Sequence, residues 1–347
     1  MLFKHVQRRI YFCCSLLLLL PFFSQGQQQT AVFTNPLLPS GPDPWVIQQD
    51  TNYFYTNTFG SHIALYKTSR MSGLGKVTPV TIWVPPASGP YSKDIWAPEI
   101  HYINNAWYVY FAADDGHNEN HRIYVLENRA ANPLEGRWVF KGKLADTAAD
   151  KWAIDASVFS YKSVLYCIWS GWEGDTNGRQ SIYIARMKNP AELEGHRVLI
   201  STPTYAWEKQ GAPPVVNEGP EALVSPAGRL LITFSASGCW TDDYELGLLT
   251  LRPGGNPLNA ADWVKSPVPV FETAAANGAY APGHNGFFIS RNGKESWIIY
   301  HANAAAGQGC GGRRSPRMQK FTWNKDGTPN FGAPAAINTP IQKPGGE

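Results

Sequence analysis

Residues 96–111 read WAPEIHYINNAWYVYF. A carboxylate, Glu99, leads into an aromatic-rich run, Asn104-Asn105 interrupts it, and a second apolar run follows from Trp107 to Phe111. Asparagine suits the tight turn between paired strands, so the stretch reads as a hairpin. The same order recurs elsewhere in the chain. GPDPWVI at Asp43, AIDASVFSY at Asp155, NEGPEALV at Glu218 and PGHNGFFIS at His284 each place a carboxylate or histidine before an apolar run. The starts lie roughly 55 to 65 residues apart, a spacing that marks a repeat architecture.

The second runs are equally regular: LYCIW at Leu165–Trp169, LLITF at Leu230–Phe234 and WIIYH at Trp297–His301, with YFYTNTF following Asp50-Thr51 in the first unit. Tyr161-Lys162-Ser163, Pro226-Ala227-Gly228 and Arg291-Asn292-Gly293 supply the other turns. Apolar residues alternate or cluster in short runs bounded by Gly, Pro, Asn and Asp, and no long amphipathic helix is legible. Each unit has room for four short strands. The fold class expected is all-β, a single five-bladed β-propeller of four-stranded blades.

Hydrophobic residues make up 43% of the chain and aromatics 13%, ample for a core. Charged residues amount to 16% with a formal net charge of +3, so no strong field points to nucleic acid or an anionic membrane. A neutral substrate fits better. Lys4, Arg8 and Arg9, the apolar Ile10–Phe23 and the exit Ser24-Gln25-Gly26 read as a secretory leader over residues 1–26, with the propeller over 27–347. The apolar stretch is too short to span a bilayer comfortably. Export to the periplasm or medium is expected, with no membrane insertion after cleavage, which would also remove Cys13 and Cys14. Cys167 then reads as a buried strand residue, while Cys239 and Cys310, in Gly-rich loops of adjacent repeats, are candidates to pair.

In a propeller the first strand of each blade lies nearest the axis, so corresponding positions of different blades converge. Asp43, Asp155 and Glu218 are thereby expected around one pocket. Glycoside hydrolysis needs one carboxylic acid to protonate the leaving oxygen and one carboxylate to activate water or attack the sugar. A third can raise the acid's pKa by repulsion. Trp96, Trp169, Trp172 and Trp240 are candidate stacking surfaces for sugar C–H faces. Each carboxylate also has a structural reading: Asp43-Pro44 is a turn dipeptide, Asp155 can hold backbone amides, and Glu218 competes with Glu221. Residues three apart on an extended strand face opposite sides, so only one of the two glutamates is expected in the pocket. Glu99 takes the equivalent start in blade two.

Taken in order, GPDPWV, WAPE, DASVF, NEGPE and PGHNGF resemble glycoside hydrolase family 43, inverting five-bladed-propeller enzymes acting on arabinans, xylans and related glycans. The resemblance runs from about Asn35 to Pro329. It implies that Asp43 is the general base, Glu218 the general acid and Asp155 the residue that modulates and orients the acid, and it leaves Glu99 without a catalytic part. It implies further that His284 stands near the axis and contributes, mostly through waters, to a calcium or sodium ion, with no cofactor required for the chemistry. A hydrogen-bonded core histidine is the plainer reading of His284. GRRSPRMQKFTWNKDGTP resembles the closing segment in which an arginine reaches the sugar, and alignment from Gln319, Lys320 and Trp323 selects Arg314 over Arg313 and Arg317. ASGCWTDDYELGLL resembles the arabinofuranosidase branch. The expected activity is an exo-acting α-L-arabinofuranosidase on plant cell-wall arabinan, arabinoxylan or arabino-oligosaccharides, with β-xylosidase or endo-arabinanase as alternatives and a non-catalytic glycan-binding propeller behind them. Exo action requires loops that close the pocket, for which Gly171–Arg179 and Ala304–Arg314 are the candidates.

Overall fold

The computed structural model describes residues 31–347 together with Met1 and Leu2. The leader expected over residues 1–26, including Cys13 and Cys14, lies outside the described residues beyond its first two positions. After a short strand β1 (Val32–Phe33), blade one is built from β2 (Trp45–Gln49), β3 (Asn52–Thr56), β4 (Ile63–Thr68) and β5 (Val80–Trp83). Blade two is β6 (Lys93–Ile103), β7 (Ala106–Asp114), β8 (Arg122–Asn128) and β9 (Val139–Leu144). Blade three is β10 (Ala153–Tyr161), β11 (Val164–Gly171), β12 (Ser181–Asn189) and β13 (Glu192–Ser201). Blade four is β14 (Asn217–Val224), β15 (Leu230–Ala236), β16 (Glu245–Leu251) and β17 (Trp263–Lys265). Blade five is β18 (Tyr280–Ile289), β19 (Ser296–Asn303), β20 (Ser315–Trp323) and β21 (Pro329–Asn330), and β22 (Ile341–Gln342) follows. The fold is therefore the five-bladed propeller of four-stranded antiparallel sheets that the repeat predicts.

The turn chemistry explains the hairpins. Asn104 and Asn105 sit at φ 51° and 62°, and Lys162 and Ser163 at 49° and 63°, the paired left-handed conformation of a two-residue hairpin. Hydrophobic packing then closes the ring. Each main core lies between two neighbouring blades: Trp107 and Ile100 with Phe54 and Ile63, Tyr110 with Cys167 and Trp169, Ile168 with Ile232 and Phe234, Leu246 and Phe271 with Ile298 and Tyr300, and Trp297 and Ile299 with Tyr53 and Tyr55. No blade can bury its faces without both neighbours. The first strands touch around a closed circle, β2 with β6, β6 with β10, β10 with β14, β14 with β18 and β18 with β2.

Blades five and one are joined without a covalent link. Val32 and Phe33 of β1 pair with Gln342 and Ile341 of β22. The Asn35 side chain both donates to the Met318 carbonyl and accepts from the Met318 amide, at 3.0 Å each. Leu37 and Gly41 amides donate to the Pro316 and Arg314 carbonyls.

The inner strands share an irregularity that creates the site. Ala97, Asp155, Gly219 and His284 adopt left-handed φ of 42°, 57°, 52° and 45° where β6, β10, β14 and β18 slip register against their partners, and Asp43 takes φ 58° just before β2. A bulge with a left-handed residue turns the next side chains out of the regular alternation. Held at a non-glycine residue, that conformation costs about 1–3 kcal/mol and persists where the surroundings enforce it.

Candidate active site

The five left-handed positions form the upper layer of the channel, and the residues two further on form the layer beneath. That lower layer consists of Trp45, Glu99, Ser157, Glu221 and Gly286. Glu99 is therefore not the counterpart of Asp43 and Asp155; Ala97 is. The Glu99 carboxylate is buried and pairs with His101 Nε2 at 2.9 Å, while Glu221 accepts from Ser157 Oγ at 3.1 Å and lies within hydrogen-bonding reach of Glu99. Gly286 leaves room for the Trp45 indole, 3.3 Å from where a Cβ would stand. The bulge at Gly219 falls between Glu218 and Glu221. Only Glu218 lines the cavity, as expected, while Glu221 turns to Ser157 and Glu99 in the layer beneath.

Above this floor opens a cavity of ≈ 420 Å³. Asp43, Asp155, Glu218, His284 and Arg314 line it together, from blades one, three, four and five. Trp96, Trp152 and Trp240 form apolar walls, and Asn118, Asn177 and Gln180 add amides. Trp96 is braced by stacking on His121, with ring centroids 4.0 Å apart. Two of the indoles named from the sequence stand elsewhere. Trp172 stacks behind Trp152 at 4.8 Å and does not line the cavity, and Trp169 is buried between blades two and three. Trp152 is the wall residue that sequence reading passes over: aligned on the left-handed residues Ala97 and Asp155, it stands two positions before the counterpart of Trp96. Of the loops named as closures, the first supplies Asn177 and the second Cys310 and Arg314. Cys239 and Cys310 are joined by a disulfide that fastens the Trp240 loop to this second loop, and Cys167 is buried and unpaired among the described residues.

The carboxyls sit in opposite surroundings. Asp43 accepts from Thr58 Oγ1 at 2.7 Å and from Arg314 Nη1 at 3.0 Å, and the Nδ1 atoms of His284 and His301 lie 3.4 and 3.5 Å from the same Oδ1. The Asp43 backbone amide also donates to His301 Nδ1 at 3.1 Å, which helps enforce its strained φ. Burial alone would push its carboxyl up, but Arg314, the histidines and Thr58 outweigh burial and hold it well below the usual carboxylate range. Because burial lowers the pKa of both histidines, Arg314 is the standing cation of the group. Arg313 is exposed and Arg317 binds backbone carbonyls of Gly278, Ala302 and Asn303, so Arg314 alone of the three reaches the cavity.

Glu218 and Asp155 have no such cation in contact. Glu218 is pushed up to about 7, chiefly by burial and also by Asp43, against the hydrogen bond from Tyr244. Burial, then Glu218 and Asp43, raise Asp155 well above its ordinary value. The Asp155 Oδ2 accepts from the Gly219 amide at 3.0 Å, tying it to the residue after Glu218. A charged carboxylate facing a carboxylic acid that keeps its proton near neutrality is the pair that acid–base hydrolysis requires. Tyr244, Thr58 and His301 complete it, and none of these was singled out from sequence. Among the described residues no group of three or more His, Cys, Asp or Glu is arranged to hold a metal ion. His284 Nδ1 is directed at Asp43 instead.

The sequence profile of Glycosyl hydrolases family 43 matches residues 33–329. The chain belongs to that family. Within family 43 it is 40% identical over 323 residues to the extracellular exo-alpha-(1->5)-L-arabinofuranosidase of Streptomyces avermitilis, a match covering 90% of this chain but 66% of the relative, just under two thirds of its length. It is 35% identical over 287 residues to the like-named protein of Streptomyces chartreusis, covering 81% of this chain and 86% of that one. The crystal structure of an alpha-L-arabinofuranosidase from Lactobacillus brevis superposes with a TM-score of 0.82 at 34% identity, over 88% of this chain and 98% of that one. No described helix is long and apolar enough to cross a membrane.

Proposed function

We propose that this family 43 chain is an inverting, exo-acting α-L-arabinofuranosidase that releases arabinose from arabinan or arabino-oligosaccharides. Glu218 is the general acid: its proton passes to the glycosidic oxygen as the bond to the anomeric carbon breaks. Asp43 is the general base: it takes a proton from the water that attacks that carbon from the opposite face, giving one inverted sugar and one shortened alcohol. Asp155 orients Glu218 through the Gly219 amide and, by repulsion, helps the acid keep its proton. The observation that carries this reading is the electrostatic asymmetry between Asp43, which Arg314 contacts at 3.0 Å, and Glu218, which Arg314 influences without touching and whose burial prevails.

Trp96, Trp152 and Trp240 offer faces for the sugar rings, and Arg314 stands where it can serve both Asp43 and a sugar hydroxyl. The blade-three and blade-five loops, tied back by the disulfide, support a pocket for a chain end. The names of the three relatives point to the same substrate class. No step draws on a cofactor; a calcium or sodium ion beside His284 would rest mainly on water ligands, and no step is routed through it. The extracellular relatives support export by way of the N-terminal leader.

Proton NMR of the first product from 4-nitrophenyl α-L-arabinofuranoside tests the reading. Initial β-arabinofuranose, lost or severely slowed in Asp43→Ala, with Glu218→Ala severely slowed on arabinobiose and much less so on the nitrophenyl substrate, is the expected result. Retention of configuration overturns the mechanism, and release of only short oligomers from linear arabinan overturns exo action.

A further inference from the structure

Tyr244 and His301 take no part in the chemistry just described, yet each touches one of its carboxyl residues. Tyr244 is 1% exposed and donates its hydroxyl to Glu218 Oε1 at 2.9 Å. His301, also fully buried, receives the Asp43 amide on Nδ1 at 3.1 Å. The two rings lie parallel, 9° apart in plane and 5.8 Å between centroids. We propose that this stacked pair is a positioning device, resting on the acid and base roles proposed above: Tyr244 fixes which oxygen of Glu218 carries the transferable proton, and His301 holds Asp43 in register with it.

The direction of the hydrogen bonds follows from the far end of the chain. The His284 backbone N–H donates to Ser235 Oγ at 2.8 Å, and an amide nitrogen can only donate. Ser235 is therefore free to turn its own hydrogen toward the neighbouring Tyr244 oxygen. Tyr244 accepts there and passes its hydrogen on to Glu218 Oε1. Burial, with Glu218 alongside, keeps the phenol protonated. Oε1 is thus committed as an acceptor, and the acid proton resides on Oε2.

On the other arm, acceptance of the Asp43 amide at Nδ1 makes His301 a neutral ring with its hydrogen on Nε2, a buried atom that meets no acceptor among the described residues, at a cost in stability. The ring ties down the backbone of a residue held at φ 58°. Gly283 makes the assembly possible, because a Cβ there would collide with the Tyr244 ring and stand 3.0 Å from Ser235 Oγ. The first glycine of the PGHNGF stretch is accounted for by this contact.

The two arms make different predictions, read in kcat and KM on α-1,5-arabinobiose and on 4-nitrophenyl α-L-arabinofuranoside. Tyr244→Phe keeps the ring and loses the donor. Its kcat on the disaccharide is expected to fall roughly 10- to 100-fold with KM nearly unchanged, within the range that acid catalysis supplies. The fall on the nitrophenyl substrate should be much smaller, because a phenolate leaves with little protonation. The alkaline limb of its pH profile should move upward, since a bond that favours the charged form of Glu218 is gone while Asp43, Arg314, Asp155 and His284 still face the site. Ser235→Ala should act in the same direction with a smaller effect. His301→Ala should lower kcat by one factor on both substrates, and His301→Asn, whose side-chain oxygen can accept the Asp43 amide, should recover part of it. An inactive Glu218→Ala beside a Tyr244→Phe with an unchanged substrate ratio and an unmoved limb overturns the positioning pair alone. Full turnover by Glu218→Ala overturns the acid assignment and the pair with it.

Discussion

The cavity has two sides that differ in what surrounds the same functional group. On the side where blades one and five meet, Arg314 with its permanent charge pairs with Asp43, and the rings of His284 and His301 lie behind it. Across the cavity, Asp155 and Glu218 have backbone and hydroxyl donors but no cation in contact. The difference teaches that neighbours, not the carboxyl group, set the task. One side keeps its charge, and the other keeps a proton.

The most severe way to break this contrast is to remove its poles. Asp43→Asn should lower kcat by about 10³ to 10⁴ on every substrate, at the strong end of what a general base supplies. Glu218→Gln should match that loss on arabinobiose and lose far less on a substrate with an acidic phenol as leaving group. Equal losses for both variants on both substrates would show that the two sides are not divided as base and acid.

Removing the cation tests the charged side. Asp43 is depressed below its unfolded value, so the ionised base is secure above that range and is lost as pH falls. Arg314→Met should therefore carry the acid limb of kcat/KM upward by about one pH unit or more. A pH-rate series measured on nitrophenyl arabinofuranoside reads this directly. The protonated side calls for the opposite shift. Burial, then Glu218 and Asp43, raise Asp155, and burial with Asp43 raises Glu218, so activity persists until the pair gives up its last proton. Asp155→Asn ends the repulsion and should bring the alkaline limb down by about one unit. A limb that stays in place would mean that Asp155 acts by orientation alone.

The smallest effect belongs to the rim. Trp240 is 44% exposed and donates to the Gly211 carbonyl at the edge of the cavity. Trp240→Ala should raise KM for arabino-oligosaccharides by about two- to tenfold, the scale of one aromatic contact, and leave both pH limbs unmoved.

Blade number, hairpins and the convergence of Asp43, Asp155 and Glu218 were legible because they rest on local turn chemistry and on ordered motifs. Register was not. The axis position of a blade is marked by a left-handed backbone, carried by Ala97 in blade two and Gly219 in blade four, so counting from carboxylates misaligned Glu99. For the same reason the two-residue period is interrupted between Glu218 and Glu221, where the bulge intervenes. His301 closes an apolar run, WIIYH, and reads there as strand filling; only the meeting of blade five with blade one gives it Asp43. Tyr244 depends on space left by a glycine of another blade. Trp172 and Trp152 carry the same chemical signal, and which of two stacked indoles meets solvent is decided by packing.

The seam between the first and last blades has one further consequence. It is the one junction of the ring that neither the running chain nor the disulfide crosses, and the contacts from Asp43 to Arg314 and His301 lie across it. Loosening the N-terminal strap would separate the base from its cation while the remaining blade-to-blade cores stay packed. Catalysis in this molecule is thus a gauge of whether the circle is shut, and turnover should fade on gentle heating before the tryptophan fluorescence of the cores changes.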